Sequence, residues 1–164
     1  MPVSSILERV AGFKTKLVCI TGGEPLSEKD TPLLTKELLD RNYTVLVETN
    51  GSYDIRAIPQ RAIKIMDIKC PDSNMSHLMH WENIKHLTKS DEVKFVLHSR
   101  SDYEWAKGVI ERYRLSEIAQ VLIGTVFDAL SPRTVVQWIL EDNLPVRFQL
   151  QLHKYIWEPQ TRGV

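Results

Sequence analysis

At 164 residues the chain has the length of one domain, long enough to bury most of its apolar surface. Its 21 basic and 21 acidic side chains cancel, so it lacks the basic excess that neutralises nucleic-acid phosphates, and no apolar run approaches the ~20 residues that cross a bilayer. Residues 1–5 lack a charged stretch leading into an apolar core, so no signal peptide is visible and the cytoplasm is the expected compartment.

Helix-like and strand-like segments alternate along the chain. Residues 5–11 begin on a serine cap and carry Ile6, Leu7 and Val10 at helical spacing. Residues 17–21 are the first strand, and Leu17-Val18-Cys19-Ile20, with no polar alternation, predicts burial on both faces in a parallel sheet. That strand runs into Gly22-Gly23-Glu24-Pro25. The glycines let the backbone turn and approach a ligand closely. Glu24 falls at a strand's carboxyl end, where parallel α/β sheets collect their sites. By themselves these four residues also suit a plain strand-to-helix turn.

Residues 27–41 predict an amphipathic helix with Leu33, Leu34, Leu38 and Leu39 on one stripe. A second strand spans residues 44–48, closed by Thr49-Asn50-Gly51-Ser52, and a third spans 63–68, closed by Lys69-Cys70-Pro71. Residues 92–97 are a fourth strand, followed by a helix over 102–113. A fifth strand covers 120–126, then a helix capped by Ser131-Pro132 runs to about Glu141, and residues 146–152 are a sixth strand. Repeated β-then-α units predict a parallel sheet with right-handed crossovers. The fold class is α/β, as an open sheet or a partial barrel. No linker or repeat divides residues 1–164, so one domain is expected.

In such a sheet the carboxyl ends of the strands share one rim. Thr21-Gly22-Gly23-Glu24, Glu48-Thr49-Asn50, Asp67-Ile68-Lys69 and His153-Lys154 therefore converge, and a rim of this kind is the default ligand site. In the last strand Gln149, Gln151 and His153 alternate with Leu150 and Leu152, so the three polar residues share a face that looks into a pocket or out to solvent. Lys94, inside the fourth strand, either faces that pocket or snorkels outward. His77, His80 and His86 lack a carboxylate or cysteine at metal-ligand spacing, so no metal ligands are expected. The two cysteines, Cys19 and Cys70, lack Cys-x-x-Cys spacing. Cys19 reads as a small strand hydrophobe. Cys70 follows Lys69, a cation able to lower its thiol pKa, although a structural role is the simpler expectation.

Gly22-Gly23-Glu24-Pro25 after an apolar strand resembles the motif with which radical S-adenosylmethionine enzymes hold the methionine part of their cofactor. Glu48-Thr49-Asn50-Gly51, Asp67-Ile68-Lys69-Cys70-Pro71, Val93-Lys94-Phe95-Val96 and the ending Gln151-Leu152-His153-Lys154-Tyr155-Ile156-Trp157 resemble the 7-carboxy-7-deazaguanine synthase family. The likeness covers residues 6–164. It implies a partial (β/α) barrel whose reaction contracts 6-carboxy-5,6,7,8-tetrahydropterin to 7-carboxy-7-deazaguanine with loss of ammonia, toward queuosine. It implies S-adenosylmethionine, a four-iron, four-sulfur cluster, magnesium, a homodimer, and an electron donor such as flavodoxin or ferredoxin.

Carried over, the resemblance gives Gly22, Gly23, Glu24, Pro25, Asn50, Asp67, Ile68 and Lys69 to the cofactor. It gives Thr21, Glu48, Gln151, His153 and the Val164 carboxylate to the pterin, with Asn50 and Arg162 as further candidates there. The family holds its cluster through three closely spaced cysteines and places a magnesium-binding threonine after them. Those residues, the family's first strand and its N-terminal substrate-binding arginine have no counterpart here. The expectation is an N-terminally truncated member without catalytic residues for radical chemistry of its own, whose raw sheet edge brings association or poor solubility beyond the family's homodimer. The alternative is a degenerate, non-catalytic binding protein.

Overall fold

The computed structural model describes residues 1–161. Its sheet has six parallel strands in the order of the chain: β1 (Leu17–Ile20), β2 (Thr44–Thr49), β3 (Ile63–Asp67), β4 (Glu92–Leu97), β5 (Gln120–Thr125) and β6 (Arg147–Phe148). The helices are α1 (Val3–Ala11), α2 (Thr31–Asp40), α3 (Arg100–Tyr113), α4 (Leu115–Ile118), α5 (Pro132–Glu141) and α6 (His153–Ile156). Crossovers of one hand between successive parallel strands put their helices on one side of the sheet.

Strand alternation divides the residues sharply. Val45, Val47, Met66, Val93, Phe95, Leu97, Val121 and Ile123 join Leu38, Tyr103, Ile110 and Val135 of the helices in one apolar core. The opposite face is polar toward the rim. Register places Glu48 beside Ile65, Ile65 beside Glu92, and Asp67 beside Lys94, which faces Leu122.

This second face is curled. Long side chains of β2 and β4 meet over β3 on this face, where Lys94 Nζ lies 3.7 Å from Glu48 Oε1. Five intervals, roughly 24 Å in a flat sheet, separate β1 from β6, yet Thr21 and Gln149 line one recess. The sheet is thus a partial barrel with helices outside and an open polar trough within.

Several expectations need correction. Strand β1 is not buried on both faces: Val18 and Ile20 pack on the core, while Leu17 and Cys19 are exposed. It lies at the sheet's edge, where no strand or helix among the described residues covers the second face. Residues 27–41 do not form one helix. A 3-10 turn, Pro25–Ser27, precedes α2, which starts only at Thr31 because Pro32 suits a first turn and disfavours helix before it. On α2 Leu38 and Leu39 are buried, but Leu33 is half exposed. Helix α1 starts at Val3 after Pro2, with no side-chain cap, and α3 starts at Arg100, capped by Ser99 Oγ accepting from the Asp102 N–H at 3.2 Å. Strand β6 is two residues long, plus one bond from the Gln149 N–H to the Ile123 carbonyl at 2.8 Å. The chain then turns into α6, so the alternation over 149–153 is not a strand's.

Candidate active site

The loop after β1 is held by its own carboxylate. Glu24 Oε1 accepts from the Leu26 N–H at 3.0 Å and from Thr49 Oγ1 at 2.8 Å, and Oε2 accepts from the Asn50 N–H at 2.7 Å. Of the four lone-pair positions of a carboxylate, three are thereby taken. Glu24 is therefore first a tie between the β1 loop and the end of β2. Ahead of it, Gly22 (φ +98°) and Gly23 (φ +49°) occupy the left-handed region, and an added Cβ at either would meet nothing within 4 Å. The glycines satisfy backbone shape and leave open space beside Gly23.

Beside this loop is a small recess of about 140 Å³ lined by Thr21, Gly23, Glu48, Asn50, Asp67, Lys69 and Lys94, among others. Lys69 Nζ donates to Asp67 Oδ2 at 2.7 Å, while the buried Asp67 Oδ1 has no hydrogen-bond partner among the described residues. A buried acceptor left unmatched favours a donor brought by a ligand. Thr21 Oγ1 donates to Glu48 Oε2 at 2.9 Å, and Lys94 approaches the other Glu48 oxygen. Lys94 thus faces the trough and does not snorkel outward. Asn50 Oδ1 accepts from the Ser52 N–H at 2.9 Å, which fixes its amide at the rim.

A larger recess of about 590 Å³ shares Thr21, Glu48 and Lys94 and adds Val96, Gly124 and residues 149–153. Gln149, Gln151 and His153 do line a pocket, although the irregular segment after β6 brings them there. Gly124 is required by this approach: a Cβ would stand 2.9 Å from the Gln149 carbonyl oxygen. A glycine inside a strand is the sequence signal for such closeness, and neither Gly124 nor Val96 was expected as a lining residue.

Of the expected site residues, the two recesses bring together Thr21, Gly23, Glu48, Asn50, Asp67, Lys69, Gln151 and His153. Ile68 lines neither, because its side chain is fully buried in the core and its N–H is taken by the Lys94 carbonyl at 2.9 Å. Pro25 is buried beneath the loop and Gly22 lies outside both recesses. Arg162 and Val164 fall outside the described residues.

The thiols sit in unlike places. Cys19 is exposed, and partial desolvation, then the Glu48 carboxylate, hold its thiol above the ordinary range against the pull of Lys94. Cys70 is buried; desolvation and then Asp102 push it far up, so Lys69 does not activate it. An iron–sulfur cluster does not fit these donors, since two separated cysteines cannot supply the thiolates. Among the described residues no group of three or more His, Cys, Asp or Glu could hold a metal.

No protein-family model matches the chain. It is 41% identical to a 7-carboxy-7-deazaguanine synthase of Chlorobaculum tepidum over all of the chain and 76% of that protein. It is 39% identical to one from Koribacter versatilis, over 90% of the chain and 72% of the relative. The crystal structure of QueE from Escherichia coli superposes with a TM-score of 0.72 at 17% identity, covering 92% of this chain and 64% of that one. The chain spans about three quarters of the relatives' length, and with identity of this order over so much of both sequences it belongs to the 7-carboxy-7-deazaguanine synthase family, on a radical S-adenosylmethionine enzyme fold.

Proposed function

We propose that the trough binds S-adenosylmethionine and 6-carboxy-5,6,7,8-tetrahydropterin side by side, as the family's ring contraction to 7-carboxy-7-deazaguanine requires. The observation that carries this reading is the pair of recesses sharing Thr21, Glu48 and Lys94. S-adenosylmethionine suits the smaller recess: the open space at Gly23 admits its amino acid end, and Asp67 Oδ1 and the Asn50 amide offer polar partners. That cofactor supplies a 5′-deoxyadenosyl group when bound. Glu24 acts on it by fixing the Gly23 and Asn50 backbones and by offering its one remaining lone pair to an ammonium.

The larger recess suits the pterin. Glu48, held by Thr21 and with Lys94 as its counter-charge, presents a carboxylate to the adjacent N–H donors of the pterin amidine edge. Gln151 and His153 close the outer side. Two separated cysteines do not make a cluster site, so the role we assign to these residues is to bind and orient the cofactor and the substrate. Two copies pair, as expected for the family, in the cytoplasm; no helix among the described residues is long and apolar enough to cross a membrane.

Isothermal titration of this chain with each compound tests the reading. Both bind, and binding of one leaves the other's site open. Gly23→Val weakens S-adenosylmethionine at least tenfold by filling the space its amino acid end needs. Glu48→Gln weakens the pterin by a similar factor and leaves S-adenosylmethionine within a few-fold. Binding of neither compound, or competition between them, overturns the reading.

A further inference from the structure

On the outside of the barrel, away from the trough, α3 forms one wall of a recess of about 490 Å³ lined by Glu104, Trp105, Gly108, Arg112, Tyr113 and Trp81. The aromatic side is rigid. Trp81 stacks on Tyr113 with ring centroids 5.1 Å apart and planes 6° from parallel, and Trp105 packs at 6.4 Å against both Trp81 and the fully buried Phe95. Partly buried aromatics fastened to the core in this way lose little side-chain freedom when covered.

Gly108 has no role within the chain. It stands mid-helix, where glycine weakens a helix relative to alanine, and an added Cβ would meet nothing within 4 Å. No turn, positive φ or close internal approach asks for it. A missing side chain on an exposed helix face does let a second helix come close, because interaxial distance follows the residues at the crossing.

The charges around Gly108 say which helix. Glu104 lies four residues before it and Arg112 four residues after, on the same face. Arg112 has the Tyr113 ring beside it but no ion pair among the described residues, while Glu104 pairs only with Arg100 of its own helix. In an antiparallel pair related by a two-fold axis at Gly108, Glu104 of each helix faces Arg112 of the other. The surface is self-complementary, as a two-fold contact demands.

Building on the pairing of two copies proposed above, we infer that the second copy docks here: α3 crosses α3 antiparallel at Gly108, two reciprocal Glu104–Arg112 pairs flank the crossing, and the Trp81–Trp105–Tyr113 walls are covered on both sides.

Sedimentation of purified chain with charge-exchange variants tests it. Glu104→Arg and Arg112→Glu each place like charges opposite one another twice, and each raises the dimer dissociation constant at least tenfold. The double variant E104R/R112E restores the dimer to within a few-fold of the original. Gly108→Leu disrupts it by holding the helices apart, with circular dichroism showing the fold retained. A chain that sediments as a monomer at all concentrations overturns the pairing itself. A dimer indifferent to both single exchanges overturns this surface while the pairing stands. Disruption by the single exchanges without rescue in the double variant overturns the antiparallel arrangement.

Discussion

Glu24 serves two loops with one carboxylate, so its removal reaches beyond one contact. Glu24→Ala leaves Thr49 Oγ1 and the Leu26 and Asn50 N–H groups without their partner. The expected loss is about 1–3 kcal/mol in denaturant unfolding, together with weaker S-adenosylmethionine binding. Unchanged stability would mean that the three bonds exchange freely with water. The thiols give a second residue-scale prediction. Cys19 reacts with a small aromatic disulfide reagent in the folded protein, whereas Cys70, buried and held protonated, reacts only on unfolding. Two equally fast thiols would contradict the burial of Cys70. That Glu48 and Asp67 line the trough was legible because each stands at or beside the end of a strand on the alternation that faces it. That the Ile68 side chain turns into the core was not, because one step further along a strand turns a side chain to the opposite face.

Elements are tied at their ends by polar groups that local pattern does not reveal. Asp91, fully buried before β4, accepts from the Lys64 and Thr88 N–H groups, both at 2.8 Å, from Thr88 Oγ1 at 2.9 Å, and from Lys64 Nζ at 3.3 Å. Asp91→Ala strands the buried Lys64 charge and is expected to cost about 3–5 kcal/mol in denaturant unfolding. A loss below about 1 kcal/mol would show that Lys64 escapes to water. Helix α3 is joined to the end of α5 by Tyr103 Oη donating to Asp142 Oδ2 at 2.7 Å, with Lys107 at 2.9 Å from Oδ1. Lys107 and then Tyr103 hold Asp142 below its ordinary 3.8, so the stability it gives is present above that pH and is lost as pH falls through the folded value. Desolvation and then Asp142 raise Tyr103 above its ordinary 10.0, so its contribution is whole below pH 10 and fades above it. The stability gap between the original chain and Tyr103→Phe should therefore narrow as pH climbs past 10 in thermal melts. The strands from β2 to β5 were readable because apolar runs closed by turn residues are a local signal. The last strand was not. Its alternating Gln and Leu fit a strand, yet β5 pairs with it only as far as Gln149, and the remainder curls over the trough.

For the molecule as a whole, anaerobic treatment of this chain with iron and sulfide is expected to leave it colourless, since its two cysteines lie apart. A stable brown protein with stoichiometric iron would show that other residues ligate the metal. Periodicity alone left an open sheet and a partial barrel undecided, because the coiling of strands against one another is not a local signal; the family resemblance pointed to the partial barrel that the sheet forms. The same strand order carries a consequence for synthesis. Each new ribbon docks beside the one made just before it, and none must be threaded between earlier partners. Assembly can thus advance from the amino end while translation continues, and the binding trough gains its far wall last, when residues 149–153 leave the ribosome and fold across toward Thr21.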